Sequence, residues 1–142
     1  MNLYSRTRTI YLLWLLNARI RTELEQAFSS ITATPGQYVV MSYLRNNRKY
    51  SAAEISRKTG VSAQSTSELA VALEKKGLIV RTPDDKNPRI LRLSLTLEGI
   101  ELLAGIDEIV DELEGRLFQN ITPTESSIMR SSIIALLEDM SG

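Results

Sequence analysis

The side chains that most often perform catalysis are missing from this sequence. It contains no cysteine and no histidine, so it has no thiolate nucleophile, no imidazole base and few of the usual metal ligands. Asp84 and Asp85 form an adjacent acidic pair. Because neighbours in a polar loop are solvated, this pair has no environment that would separate an acid from a base. We therefore predict a protein that is not an enzyme and has no metal or cofactor.

Basic side chains, which can bind anionic partners, are concentrated in the middle of the chain. The 142 residues have no formal net charge. Residues 31–95 nevertheless contain eleven Lys and Arg against five acidic residues, whereas residues 96–142 contain two against ten. A basic segment joined to an acidic one favours a polyanionic partner such as nucleic acid.

Two short helices are predicted in the basic segment, and their spacing is typical of a helix-turn-helix. Residues 51–54 match a capping box that opens the first helix, which Gly60 can end in a left-handed conformation. Ser62 caps a second helix that should end at Gly77. The connection over residues 59–62 favours DNA binding, although a plain helical hairpin has the same spacing.

A β-hairpin is predicted directly after the second helix. Leu78–Thr82 and Ile90–Leu95 are rich in strand-forming residues, and the polar segment Pro83–Arg89 lies between them. A hairpin in this position is typical of the wing of a winged helix, with Lys86 and Arg89 at its tip. The alternative is a solvated hairpin tip with incidental charges.

The remaining segments are predicted to be helices. Apolar residues recur at helical spacing from Ile10 to Phe28, nearly all round the first half of that helix. Capping patterns at residues 34–37 and 122–125 open two more helices, and Thr96 starts a long helix with an apolar stripe. The surplus apolar surface of the first and last helices predicts a homodimer.

Together these elements predict a mainly α fold of the α+β class. We expect a single winged helix-turn-helix domain over residues 1–142, with the DNA-binding region at 34–95 and dimerisation helices within 1–30 and 96–142. The apolar run Ile10–Leu16 is too short to span a membrane and no cleavage site follows it. We therefore expect a cytoplasmic protein.

The order of elements resembles the MarR family of bacterial regulators over essentially the whole chain. The most specific likeness runs from Leu73-Glu74-Lys75-Lys76-Gly77-Leu78-Ile79 through the hairpin to Leu95-Thr96-Leu97-Glu98-Gly99. That family usually has aspartate and arginine nine and seven positions before the threonine, where this sequence has Asn87 and Arg89. The resemblance implies that Arg89 enters the minor groove, with a neutral amide in place of the aspartate that helps to orient it.

The resemblance also defines the expected DNA-binding residues. Similar proteins often have arginines at the positions of Glu68 and Ala72, so affinity here should depend on other cations. Gln64 is the best candidate for a bidentate contact with adenine. The expected set is Arg57, Lys58, Ser62, Ala63, Gln64, Ser65, Ser67, Lys86, Asn87 and Arg89.

The function implied is that of a homodimeric repressor that binds a pseudo-palindromic operator in double-stranded DNA until a small effector releases it. Similar proteins bind aromatic acids near positions that correspond to Tyr11, Trp14, Tyr38 and Ser42, although aromatic residues at helical spacing are more often core. The alternative function is a winged-helix protein-interaction module without DNA binding.

Overall fold

The computed structural model describes residues 2–140. Their helices are α1 (Thr9–Ala27), α2 (Pro35–Tyr43), α3 (Ala52–Thr59), α4 (Ala63–Lys75), α5 (Leu97–Leu117) and α6 (Pro123–Met140). Their strands are β1 (Tyr50–Ser51), β2 (Ile79–Pro83) and β3 (Leu91–Leu95). A short 3-10 turn, Arg45–Asn47, follows α2. Among these described residues, no helix has both the length and the apolar character needed to cross a membrane.

The mainly α architecture with a winged helix-turn-helix is confirmed. The three strands form an antiparallel sheet in the order β1-β3-β2, in which Leu93 pairs with both Tyr50 and Arg81. Strand β1 was not predicted, because two residues are too short to show a strand periodicity. Helix α4 ends at Lys75, slightly before the predicted Gly77, which adopts a positive φ of 73°.

The capping boxes form as the sequence predicts. The Thr34 hydroxyl accepts the Gln37 amide N–H at 3.2 Å, while the Gln37 side chain accepts the Thr34 N–H at 3.1 Å. Ser51 and Glu54 form the same reciprocal pair at the start of α3, at 3.2 and 3.0 Å. These bonds satisfy amides that would otherwise lack partners at the helix starts.

The chain divides into two compact units, with the boundary between Ile109 and Val110. The first unit contains a core to which α2, α3, α4 and the sheet all contribute. Its buried residues are Val40, Met41, Leu44, Ile55, Ala70, Leu73, Leu78, Ile79, Leu93 and Leu103. The second unit contains the end of α5 and all of α6, a helix with no buried residue.

A close backbone contact joins the start of α5 to the segment before β2. The Thr96 N–H donates to the Leu78 carbonyl oxygen at 3.1 Å, and the Thr96 hydroxyl donates to the Gly77 carbonyl oxygen at 2.6 Å. Gly99 makes room for this approach, because a Cβ at residue 99 would lie 2.1 Å from the Leu78 carbonyl oxygen. The long helix therefore begins where only glycine fits.

We expect Gly99→Ala to lower the free energy of unfolding by about 1–3 kcal/mol, because the added methyl overlaps backbone that cannot move freely. Gly105→Ala is the matched control on the same helix, since a Cβ there meets nothing within 4 Å. The control should gain about 0.5–1 kcal/mol from its higher helix propensity. Urea unfolding measures both variants, and equal stabilities would contradict the proposed clash.

Candidate nucleic-acid interface

The turn between α3 and α4 is held by short side chains. Gly60 adopts a φ of 74° and ends α3. The Ser56 hydroxyl donates to the Val61 carbonyl oxygen at 2.6 Å, and the Thr59 hydroxyl accepts the Val61 N–H at 3.2 Å. These bonds give the Val61 N–H and carbonyl oxygen hydrogen-bond partners, and so they fix the direction of α4 relative to α3.

The first turn of α4 presents the residues that the sequence predicts for base contacts. Ser62 caps the helix by accepting the Ser65 N–H at 3.1 Å. Thr66 is 1% exposed and donates its hydroxyl to the Ser62 carbonyl oxygen at 2.9 Å, which holds this turn against the core. The predicted residues of this helix are all exposed: Ser62, Ala63, Gln64, Ser65 and Ser67.

Gln64 has a neighbour that changes its hydrogen-bonding capacity. Its Nε2 donates to the Glu68 carboxylate at 3.3 Å, one helical turn further along α4. The carboxylate therefore uses one amide donor and adds a negative charge to this exposed surface. A bidentate contact between Gln64 and adenine would still use the carbonyl oxygen and the second N–H.

The tip of the hairpin formed by β2 and β3 is shaped by its own acidic and amide side chains. The Asp84 carboxylate accepts the N–H groups of Lys86 and Asn87 at 3.1 and 3.0 Å. The Asn87 side-chain oxygen accepts the Arg89 N–H at 3.2 Å. Asn87 thus contacts the Arg89 backbone, while the side chains of Lys86, Asn87 and Arg89 are exposed.

A cavity of about 460 Å³ lies between α3, α4 and the hairpin, and we call it the winged-helix groove. Arg57 of α3, Ser67 of α4 and Arg89 of the hairpin all line it. Three predicted residues from three different elements therefore meet at one concave surface. Lys58 does not line the groove, and its ammonium lies 5.2 Å from the centre of the Tyr50 ring.

Acidic side chains around the groove are paired with two arginines. Arg81 donates to both oxygens of Glu74 at 2.8 and 2.9 Å, and this pairing lowers the pKa of Glu74. Arg92 pairs with Glu54 and Asp84. The hydrogen bond from Arg92, reinforced by the Asn87 N–H, lowers the pKa of Asp84, so this carboxylate is charged at neutral pH.

The four predicted cations are not paired with acids. Within residues 2–140, no salt bridge is formed by the exposed side chains of Arg57, Lys58, Lys86 and Arg89. Glu54, Glu74 and Asp84 are thus neutralised by Arg81 and Arg92, while these cations face solvent. The surface can therefore attract an anionic partner despite the zero net charge of the chain.

Sequence reasoning missed Arg81 and Arg92 as parts of this site. Arg81 lines the groove, and Arg92 joins acids from α3 and from the hairpin. Arg92 alternates with Leu91 and Leu93 along β3, so the sequence indicates only that it lies on the opposite face of the strand. Its partners lie eight and thirty-eight positions away, and no sequence spacing connects residues so far apart.

The four residues predicted to bind an effector lie in different environments: two are hydrogen-bonded on α2, and two are exposed on α1. Tyr38 donates its hydroxyl to Asp107 at 2.7 Å, and Arg45 also pairs with Asp107. Burial raises the pKa of the Tyr38 phenol, and its hydrogen bond to Asp107 raises it further. Ser42 donates its hydroxyl to the Val39 carbonyl oxygen, while Tyr11 and Trp14 are exposed on α1.

A second cavity of about 480 Å³ lies beside this Tyr38–Arg45–Asp107 cluster. Arg45 and Asp107 supply charged groups to its wall, and Leu44, Leu95, Ile100 and Leu103 supply apolar surface. The four side chains predicted for the effector do not themselves line this cavity. Its volume is within the range of small-ligand sites, which combine an apolar wall with a few polar groups.

Residues 31–90, which include the helix-turn-helix, strand β2 and the hairpin tip, match the model of the MarR family. The transcriptional repressor MdtR of Bacillus subtilis is 33% identical to the chain over 91 residues. The match covers 61% of the chain and 59% of MdtR. Residues 31–90 are therefore a MarR-family segment. MarR-family members are transcriptional regulators and not enzymes.

Solved MarR-family structures share this fold over nearly their whole length. A cysteine-to-serine mutant of MarR from E. coli, complexed with operator DNA, has a TM-score of 0.81 at 19% identity. This comparison covers 96% of the chain and 99% of MarR. CouR from Rhodococcus jostii, bound to p-coumaroyl-CoA, has a TM-score of 0.84 at 22% identity and covers 92% of both chains.

Proposed function

We propose that this MarR-family protein is a homodimeric repressor that acts in the cytoplasm on a pseudo-palindromic operator. The winged-helix groove carries the proposal, because it gathers Arg57, Ser67 and Arg89 from three elements beside the exposed first turn of α4. In a relative, MarR of E. coli, the same fold is found in complex with operator DNA. The groove therefore supports DNA as the partner of this chain.

Each group in the proposed interface has a distinct role. Gln64 and its exposed neighbours Ser62, Ala63, Ser65 and Ser67 contact base edges in the major groove. Arg89 enters the minor groove at the tip of the hairpin, where Asn87 holds its backbone. Arg57, Lys58 and Lys86 contact phosphates, which position the protein without reading sequence.

We expect Arg89→Ala to weaken operator binding by about 1–3 kcal/mol, because it removes a base-reading contact. The measurement is a titration of the purified protein against DNA that flanks its own gene, at two salt concentrations. Each phosphate that a cation neutralises contributes about 0.9 to the slope of log affinity against log salt. Lys75→Ala is the matched control, since it removes an exposed positive charge from the far end of α4.

Unchanged affinity in Arg89→Ala would remove Arg89 from the interface. Weak and salt-independent binding by the wild-type protein would contradict the repressor and favour the winged-helix protein-interaction module. These two outcomes are distinct, because the first concerns one side chain and the second concerns the partner.

The homodimer is supported by apolar side chains exposed on the two terminal helices. Trp14 of α1 is 67% exposed and Ile128 of α6 is 60% exposed. Apolar side chains exposed in such number on single helices are typical of interfaces. The exposed large apolar residues of α1 and α6 include Ile10, Tyr11, Leu13, Trp14, Leu16, Ile128, Ile133, Ile134, Leu136, Leu137 and Met140. We propose that both helices form the dimer interface.

We expect Trp14→Glu and Ile128→Glu each to raise the dimer dissociation constant at least tenfold, because an unpaired carboxylate would be buried on association. Sedimentation equilibrium measures the change. Val80→Glu is the control, since Val80 is an exposed apolar residue outside the terminal helices. Dimers as stable as wild type in both helix variants would contradict this interface.

A small aromatic acid is the proposed effector, with its site beside Tyr38 and Ser42. The cluster of Tyr38, Arg45 and Asp107 favours an acid, because the ligand's carboxylate can compete with Asp107 for the guanidinium. The Ser42 carbonyl oxygen accepts a further hydrogen bond from Arg45 at 3.4 Å. The proposal also retains Tyr11 and Trp14 as contributors from α1.

Calorimetry with 4-hydroxybenzoate tests this site. We expect Arg45→Gln to weaken binding about tenfold or more, since a charged hydrogen bond is lost, while Arg48→Gln on the nearby exposed surface has no effect. Trp14→Leu tests the contribution of α1. Binding that depends on Trp14 and not on Arg45 would move the site away from the cavity, and no binding of any aromatic acid would contradict the effector class.

A further inference from the structure

Arg92 connects three parts of the winged helix through one guanidinium. It lies on the central strand β3, opposite Ser51 of β1 and Thr82 of β2. Its Nε donates to Asp84 at 2.6 Å, and its Nη1 donates to Glu54 at 2.9 Å. Nη1 also approaches the Lys49 carbonyl oxygen at 3.4 Å. The hairpin tip, α3 and the segment before β1 are therefore joined at a single side chain.

The carboxylate that Arg92 holds in the hairpin is the one that shapes the tip. While one Asp84 oxygen accepts from Arg92, the other accepts the N–H groups of Lys86 and Asn87. The Asp84 N–H donates to the Ile90 carbonyl oxygen at 2.8 Å and so closes the tip. A change in the orientation of Asp84 would therefore alter its hydrogen bonds to the backbone of Lys86, Asn87 and Ile90.

In α3, Arg92 binds the Glu54 carboxylate, which also accepts a second hydrogen bond. Glu54 Oε2 accepts both the Ser51 N–H of the capping box and the Arg92 guanidinium. Glu54 therefore has a fixed position at the start of the helix-turn-helix. Because a guanidinium is a rigid, planar fork, it fixes the distance and angle between two such carboxylates better than a lysine would.

We propose that Arg92 is a positioning residue that fixes the hairpin tip, and with it Lys86 and Arg89, relative to the helix-turn-helix. The role rests on the proposed function, since positioning matters for binding only if these cations contact DNA. The Arg92 side chain is 29% exposed and its donors face two carboxylates, so it acts through the tip and not as a phosphate contact. A tip that is already ordered loses less conformational entropy when it binds.

Backbone ¹⁵N relaxation of the full-length protein without DNA tests the positioning directly. In the wild type we expect order parameters of about 0.85 at Lys86, Asn87 and Arg89, and in Arg92→Gln values that fall below about 0.6. Lys75→Gln is the control for the loss of one positive charge and should match the wild type. Arg92→Lys keeps the charge but loses the fork, so we expect the tip to be mobile in that variant as well.

A double-mutant cycle with Asp84→Asn tests whether the two residues act as one unit. We expect each single variant to weaken operator binding by about tenfold, and the double variant to bind no more weakly than the worse single one. Rigid tip residues in Arg92→Gln, or losses of affinity that multiply in the double variant, would overturn the proposal. A wild-type protein that binds no DNA would overturn the proposed function, whereas loss of tip order in Arg92→Gln would still establish the positioning.

Discussion

The packing of the inner face of α4 is the constraint on which the rest of the interface depends. Thr66, Ala70 and Leu73 are buried at spacings of four and three, in a core shared with α2, α3 and the sheet. Because a helix rotates by about 100° per residue, burial of these three positions determines which side chains face outward. Gln64, Ser65 and Ser67 are exposed for this reason, and no contact of their own is needed to orient them.

Salt bridges determine which charged side chains of the candidate interface are available to a partner, and the overall composition does not show this. Arg81 and Arg92 neutralise acids on α3, α4 and the hairpin, while Arg57, Lys86 and Arg89 remain directed at solvent. An arginine that pairs with an acid restrains geometry, whereas an exposed arginine can approach a phosphate or a base. The same residue type therefore serves as a structural element in two positions and as a proposed contact in two others. Within residues 2–140, Glu68 and Asp85 form no salt bridge, and Glu68 lies beside Gln64 on the exposed side of α4.

The Tyr38–Arg45–Asp107 cluster combines the proposed regulatory site with the start of the long helix. Asp107 lies on α5, while Tyr38 and Arg45 come from α2 and from the turn that follows it. A ligand that changes these contacts would act on the helix that continues from the wing through Thr96 and Gly99. The proposed effector site and the proposed DNA-binding region are thus adjacent along the chain and lie in the same compact unit.

The sequence by itself determined the helices, the hairpin, the capping boxes and the basic segment, because capping and periodicity are local properties that few residues specify. It also identified the exposed residues of α4 and the cations of the tip, and the resemblance to the MarR family was confirmed. Only the tertiary structure decided that Arg57, Ser67 and Arg89 line one groove, that β1 completes the sheet, and that Arg92 joins Glu54 to Asp84. Those contacts join residues that are far apart in the chain. Because they form only when the whole core packs, local sequence patterns do not predict them.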